Sequence, residues 1–290
     1  MKFLMKKILA AALVAGGVSA AMALPVGSAI PGGPVLFSDN SAETWLDNNG
    51  NGVLDEGDAL RGIFKIDNIT GSSGVQVAIG AGSSYNELTG IFQTIVTGRT
   101  FLFSTPAGNF YNYSFGVDPL FDVGNTGVVG RLYEDAGNNF ARIGCGTLAN
   151  CEATATDGSL WAELGLGAGP NGFWSAANAN ENPGSGSLLP LNSPLGAFGM
   201  GLDFITNNSG FMWNKVACLD TTTGVVGFVD VCGQGGILAS GNGLPGGVNS
   251  PYGIFDNVDF TANRVPEPGS LALIALGLLG VGAVSRKRKV

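Results

Sequence analysis

The sequence predicts an all-β protein whose body folds as an antiparallel β-sandwich or a jelly-roll-like structure. The chain of 290 residues contains 48 glycines, and its short apolar stretches alternate with clusters of Gly, Asn, Asp and Ser, which are residues that form turns. No segment between residues 24 and 266 keeps a 3.6-residue hydrophobic period over three helical turns. A β-solenoid is the alternative, but no fixed period of 20 to 30 residues is sustained along the chain, and the similarity between residues 60–64 and 88–92 occurs once and is not a repeat.

The predicted strands are twelve apolar stretches rich in β-branched and aromatic residues. A polar segment at residues 178–194, rich in Asn, Ser and Pro, predicts a long loop or a linker between two halves. We favour one β-rich body over residues 24–264, because neither half has enough strands to close a sheet alone. The strands are expected at residues 35–37, 60–66, 75–79, 88–96, 100–103, 110–115, 128–133, 160–166, 197–205, 211–219, 225–231 and 254–260.

The N-terminal segment, residues 1–23, has the three parts of a secretory signal peptide. Lysines near the start precede an apolar run at residues 8–18, and Ala-Met-Ala at residues 21–23 matches the small-x-small pattern that signal peptidase accepts. The run is too short to span a bilayer comfortably. We therefore expect a signal helix that signal peptidase removes, and an exported body.

The C-terminal segment, residues 265–290, also has three parts. The residues Pro266, Glu267 and Pro268 come first, an apolar run at 271–284 follows, and a cluster of Arg and Lys ends the chain. A helix over this run would be about 21 Å long, shorter than a bilayer core of about 30 Å, so it predicts a weak transmembrane anchor. The basic cluster would hold the far end in the cytoplasm and leave the prolines outside.

This order of parts resembles the PEP-CTERM sorting signal of Gram-negative bacteria, which exosortases recognise. The resemblance rests on the Val-Pro-Glu-Pro core, the glycine-bearing helix and the basic cluster, and it covers residues 265–290. It implies a precursor anchored in the inner membrane, processing by an exosortase near residues 266–268, and delivery of the body to the cell surface or the extracellular matrix. It implies nothing about what the body binds.

Composition excludes several classes of function. The chain has no histidine, so it cannot build a Ser-His-Asp triad or a His-ligated zinc site on its own. Between residues 24 and 265, seven basic residues face 21 acidic residues, a net charge of −14, so we expect no nucleic-acid partner. No motif pairs two of the acids for glycoside hydrolysis, and we therefore expect a protein that is not an enzyme.

Residues 47–58 match the twelve-residue calcium-loop template. Oxygen-bearing side chains fall at template positions 1, 3, 5, 9 and 12, and Gly52 falls at position 6. The segment resembles the EF-hand-like loop of dockerins, but the sequence contains one such loop where a dockerin needs two. We predict a structural calcium site, with an Asn-Gly turn in an acidic protein as the alternative. The predicted ligands are Asp47, Asn49, Asn51, the carbonyl of Val53, Asp55 and Asp58.

The four cysteines are expected to form disulfides, because an exported chain folds in an oxidising compartment. Four cysteines allow three pairings. We favour Cys145 with Cys151 and Cys218 with Cys232, because each pair flanks a turn-forming segment that a hairpin would close. A zinc site is disfavoured because the chain has no Cys-x-x-Cys motif and no histidine.

The predicted function is a non-enzymatic protein of the cell surface or extracellular matrix, associated with biofilm, flocs or exopolysaccharide. Export and the missing catalytic residues follow from the sequence, and the destination follows from the PEP-CTERM resemblance. The alternatives are a glycan-binding module and, less favoured, a matrix polysaccharide hydrolase. Trp161, Trp174 and Trp213 are the candidate glycan contacts, although large aromatic side chains in a glycine-rich sandwich more often fill the core.

Overall fold

The computed structural model describes residues 23–106, 108–142, 144–167, 171–182, 194–239 and 251–266. The predicted signal peptide up to residue 22, Glu267, Pro268 and the predicted hydrophobic helix at 271–284 lie outside these ranges. Within them, a 3₁₀ turn at Val26–Ala29 and an α-helix, α1, at Leu148–Thr156 accompany the strands. None of the helices described here has the length and apolar character needed to cross a membrane.

Antiparallel strands dominate the part of the chain that the structure describes, which confirms the predicted all-β class. Every pairing between named strands is antiparallel. The strands are β1 (Gly33–Leu46), β2 (Ala59–Gly71), β3 (Gln76–Ala78), β4 (Glu87–Thr105), β5 (Gly108–Val117), β6 (Val128–Asp135), β7 (Ser159–Gly165), β8 (Phe173–Asn180), β9 (Pro194–Asn207), β10 (Trp213–Asn214), β11 (Val216–Leu219), β12 (Val226–Val229), β13 (Val231–Ala239) and β14 (Ile254–Arg264).

Twelve of these strands form one sheet that closes on itself. The sheet runs in the order β3-β2-β1-β14-β13-β9-β7-β6-β4, and the pairing of β4 with β2 completes a ring. The strands β5 and β8 connect β4 to β9 a second time. The ring encloses the larger hydrophobic cluster, to which most of its strands contribute side chains. As in the predicted sandwich, strands on opposite sides of the fold pack against one common core.

The inward face of β1 changes from apolar to polar along its length. Val35 and Phe37 point into the core, as the two-residue period of a strand predicts. The pairing with β2 is bulged between Ser38 and Asp39. Beyond the bulge, Asp39, Ser41 and Glu43 continue the buried series, with 3%, 2% and 1% of their surface exposed. The core of the ring therefore contains a polar stripe.

The helix α1 covers the outer face of the sheet. Thr147 caps it, because its hydroxyl accepts a hydrogen bond from the backbone N–H of Asn150 at 3.2 Å. Cys151 and Ala155 of the helix belong to a second buried cluster that includes Ile63 of β2. The sequence prediction did not include this helix, because its nine residues fall short of the three turns that a periodic pattern requires.

The predicted list of strands needs further corrections. The stretch predicted at 211–219 contains two strands, β10 and β11, and the stretch predicted at 225–231 is divided between β12 and β13, the latter of which continues to Ala239. The stretches predicted at 88–96 and 100–103 form one strand, β4. The strand β8 was not predicted at all, and the predicted linker at 178–194 begins within it. Tyr111 to Phe115 of β5 and residues of β9 pair with β8 on either side, so tertiary pairing makes a strand of a segment rich in Ala and Asn. Residues 183–193 of the predicted linker lie outside the described ranges.

Both predicted disulfides are confirmed, and all four cysteines of the chain are paired. The Cα atoms of Cys145 and Cys151 are 5.1 Å apart, and those of Cys218 and Cys232 are 5.4 Å apart. Neither bond joins the two strands of one hairpin. The first fastens the segment before α1 to its first turn, and the second fastens the β11–β12 hairpin to β13 of the main sheet.

Candidate calcium loop and sorting junction

The segment 47–58 forms the connection between β1 and β2, whose ends pair at Leu46 and Ala59. Gly50, Gly52 and Gly57 have φ values of +75°, +79° and +96°, a conformation that side chains with a Cβ rarely adopt. Gly52 occupies template position 6, where the calcium loop needs a sharp turn. The backbone therefore turns where the template predicts.

The carboxylate of Asp47 lies inside this turn. Its Oδ1 accepts hydrogen bonds from the backbone N–H groups of Gly50 at 2.6 Å and Asn51 at 3.2 Å, and its Oδ2 accepts one from Gly52 at 2.8 Å. These bonds, of which that from Gly52 has the largest effect on the pKa, lower the pKa of Asp47 below its ordinary value. Asp47 is therefore held ionised in the centre of the loop.

The side chains of Asn49 and Asn51 converge on Asp55. The Nδ2 atom of Asn49 lies 2.7 Å from Oδ1 of Asp55, and that of Asn51 lies 2.5 Å from Oδ2. The structure therefore brings two of the predicted ligands, Asn49 and Asn51, to the carboxylate of a third, Asp55. Each amide also carries an oxygen, which is the ligand type that calcium prefers.

Asp58 has a different environment from the other predicted ligands. It is fully buried, and its two carboxylate oxygens accept hydrogen bonds from the backbone N–H groups of Asn48 at 2.9 Å and Asp55 at 3.0 Å. These bonds close the base of the loop. Across the described residues, no three Asp, Glu, Cys or His side chains are grouped closely enough to hold a metal. A cation in the loop would therefore also need the amide oxygens and the Val53 carbonyl.

Residues outside the loop hold it against the sheet, and the sequence analysis did not predict them. The carbonyl of the buried Leu54 accepts hydrogen bonds from Arg99 of β4 at 3.0 Å and from the hydroxyl of Tyr113 of β5 at 3.2 Å. Its N–H donates to the carbonyl of Glu181 at 2.8 Å. Arg99 also lies 3.9 Å from the Asp55 carboxylate. No local sequence signal links these residues to the loop, because the closed sheet creates the contacts.

The end of β14 is fixed to the body immediately before the sorting residues. The guanidinium of Arg264 lies 3.7 Å from the ring centroid of Phe211 and donates a hydrogen bond to the carbonyl of Ile30. The N–H of Val265 donates to the carbonyl of Met212 at 2.8 Å. Pro266, the next residue, is exposed. The residues that are fixed to the body thus reach the start of the predicted sorting signal.

A family model described as the PEP-CTERM protein-sorting motif matches residues 264–289. The chain carries a PEP-CTERM sorting signal. The match confirms the resemblance, and each of its bounds lies one residue before the predicted bounds of 265 and 290. The signal marks an exported protein with a membrane-anchored precursor that an exosortase processes. No curated protein and no solved structure is detectably similar to this chain.

The tryptophans predicted as glycan contacts are placed mainly in the core. Trp161 and Trp174 are only 6% and 5% exposed, so neither ring offers a face to a ligand on the surface. The prediction is corrected for these two residues, because burial of large aromatic rings fills the closed sheet. Trp213 is half-buried, packs against Phe204 and Phe211, and donates its indole N–H to Ser209 at 3.2 Å.

Proposed function

We propose that this PEP-CTERM protein is a non-enzymatic component of the cell surface or extracellular matrix, where it associates with biofilm, flocs or exopolysaccharide. Signal peptidase would remove the N-terminal segment on export. The observation that supports the proposal is the sorting junction. Because Arg264 and Val265 are held by the body and Pro266 is exposed, cleavage near Pro266 would release an intact β-rich fold.

Glu152 and Glu163 are two of the acidic residues that a glycoside hydrolase could use in principle, and both have structural partners. Glu152 forms a bidentate pair with Arg61, with distances of 2.5 and 2.7 Å. Glu163 accepts hydrogen bonds from Arg131 at 3.0 Å and from the hydroxyl of Thr206 at 2.7 Å. These bonds tie neighbouring elements together, which supports a structural role for these acids and favours a matrix protein over a hydrolase.

The loop at residues 47–58 is proposed to bind one calcium ion with a structural role. The predicted ligands Asp47, Asn49, Asn51, Asp55, Asp58 and the Val53 carbonyl would hold it, and the bound ion would neutralise the carboxylates that otherwise repel one another. The turn at Gly52 and the convergence of the amides on Asp55 support the assignment. The ion would supply rigidity to the start of β2 and no reaction chemistry.

Replacing Glu267 by Gln in cells that contain the exosortase tests the sorting step. We expect the variant to accumulate as a precursor in the membrane fraction, whereas the natural chain is processed. Glu56→Gln, which removes one exposed carboxylate from the body, is the matched control and should be processed normally. Normal processing of the Glu267 variant would contradict the proposed role of the Pro-Glu-Pro residues.

A further inference from the structure

Two Asn-Gly dipeptides follow one another in the loop at residues 47–58. They are Asn49-Gly50 and Asn51-Gly52, and all four residues are exposed to solvent. In such a pair the backbone nitrogen of the glycine can attack the side-chain carbonyl carbon of the asparagine, which closes a five-membered imide ring. Glycine favours this reaction because it has no Cβ to obstruct the ring. The chemistry that follows is deamidation, in which an amide is exchanged for an acid.

The nitrogens of both glycines lie against one carboxylate. The N–H of Gly50 donates to Oδ1 of Asp47 at 2.6 Å, and the N–H of Gly52 donates to Oδ2 at 2.8 Å. The glycine nitrogen becomes a nucleophile when it loses its proton, and a general base must lie within hydrogen-bond reach of the proton that it takes. Asp47 meets this condition for both glycines.

The side-chain amides have the same orientation at both positions. Oδ1 of Asn49 accepts a hydrogen bond from the N–H of Asn51 at 3.0 Å, and Oδ1 of Asn51 accepts one from the N–H of Val53 at 2.9 Å. Both Nδ2 atoms donate to Asp55. The backbone donors would stabilise the negative charge that develops on Oδ1 when the carbonyl carbon becomes tetrahedral. The same set of groups therefore occurs twice.

Another Asn-Gly dipeptide, Asn171-Gly172, provides an internal comparison. A Cβ atom placed on Gly172 would lie 1.7 Å from the carbonyl oxygen of Leu166. One placed on Gly50 or Gly52 would meet no described atom within 4 Å beyond its chain neighbours. Closure of the imide ring moves the glycine backbone. The backbone at Gly172 is packed against another segment and resists this movement, whereas the loop has room for it.

We propose that Asn49 and Asn51 are sites of spontaneous deamidation through a cyclic imide. The glycine nitrogen forms a bond to the side-chain carbonyl carbon, its proton passes to Asp47, and the bond from that carbon to Nδ2 breaks. The departing nitrogen takes up one proton and leaves as ammonia. Water then opens the ring at either carbonyl carbon and produces an aspartate or an isoaspartate residue. The reaction consumes water and needs no oxidant, reductant or cofactor.

Each conversion adds one negative charge to a loop that already contains the carboxylates of Asp47, Asp55 and Asp58. Conversion to aspartate keeps the backbone unchanged, and a larger number of charged ligands strengthens calcium binding. Conversion to isoaspartate lengthens the backbone by one atom and would disrupt the turn. The consequence for calcium rests on the proposed calcium site, whereas the deamidation itself does not.

Peptide mapping by mass spectrometry tests the proposal on the folded body, stored at neutral pH in chelator so that calcium plays no part. We expect Asn49 and Asn51 to show the mass change of amide-to-acid conversion at least about tenfold faster than Asn171. In a reduced sample unfolded in urea, the three sites should react at similar rates, because the dipeptide is the same. Equal rates at the three sites of the folded body would overturn the proposal. So would a folded loop that keeps both amides while the unfolded sample loses them.

Asn51→Gln is the matched variant for the imide route. The longer side chain keeps the amide but would have to close a six-membered ring, so we expect residue 51 to keep its amide in this variant. Asn49 is unchanged and should convert as in the natural body. Conversion of residue 51 at the natural rate in the variant would show that ring closure is not the route and would refute the proposal.

Discussion

Glu87 is a buried carboxylate, and its ionisation at neutral pH lowers the stability of the folded protein. It is 1% exposed and lies opposite Asp135 in the pairing of β4 with β6. Burial raises the pKa of Glu87, although its Oε1 accepts hydrogen bonds from the N–H groups of Asn139 at 2.9 Å and Phe140 at 3.1 Å. The folded protein therefore binds the Glu87 proton more tightly than the unfolded chain does.

The pH dependence that follows has a definite sign. In the window from the ordinary pKa of 4.5 up to the raised folded value, the native state binds more protons, so stability falls as the pH rises. Glu87→Gln removes this loss. We expect its melting temperature to exceed that of the natural body at pH 7 and to approach it at pH 4, as measured by circular dichroism. The same difference at both pH values would contradict this explanation.

Among the elements, α1 and β8 show what the sequence could not predict. The nine residues of α1 are held by the Thr147 cap, the Cys145–Cys151 bond and packing against the sheet, and only the disulfide was visible as a sequence pattern. The strand β8 depends on neighbours that are distant in the chain. The twelve-residue calcium-loop template, by contrast, correctly located the turn at Gly52, because a tight turn depends on the residues that form it and not on distant strands.

The two disulfides should stabilise the body to different extents. In the chain-entropy model a closed loop of 15 residues contributes about 3 kcal/mol, as for Cys218–Cys232, and one of seven residues about 2 kcal/mol, as for Cys145–Cys151. We expect the paired Cys→Ser variants to lose these amounts in urea unfolding. A larger loss for the shorter loop would contradict the model and indicate that the bond mainly supports α1.

Calcium should raise the melting temperature of the body through the loop at residues 47–58. At ten times the dissociation constant, which is roughly 10⁻⁴ to 10⁻³ M for extracellular modules, the ion would add about 1.4 kcal/mol to the free energy of unfolding. Asp47→Asn should abolish the shift between calcium and chelator buffers, as measured by calorimetry.

The matched control for calcium is Glu56→Gln, at a loop position outside the predicted ligand set. It should keep the full calcium-dependent shift. Identical melting temperatures of the natural body in calcium and in chelator, with no heat of binding at millimolar calcium, would mean that residues 47–58 form only an acidic turn.

For the whole molecule, the closed sheet places the two ends of the body side by side. Gly33 at the start of β1 pairs with Arg264 at the end of β14, and β14 lies between β1 and β13. Pairings between residues more than 200 positions apart have no local sequence signal, so the antiparallel class was predictable and the ring was not. The strand next to the sorting signal is thus a central part of the fold.

Truncation tests this dependence on β14. A body that ends at residue 253 lacks the strand between β1 and β13, and we expect it to lose cooperative unfolding, because several core side chains lose their partners. A body that ends at Pro266 should unfold cooperatively. Cooperative melting of the shorter chain in a circular dichroism experiment would show that the ring does not need its last strand.

Intact-mass analysis of the protein recovered from the cell surface or surrounding matrix tests the central claim, that an exosortase releases a folded body at the sorting junction. The account predicts one species that contains both disulfides, ends near Pro266–Pro268 and lacks residues 271–290. Surface material that still carries the terminal Arg and Lys residues would contradict it.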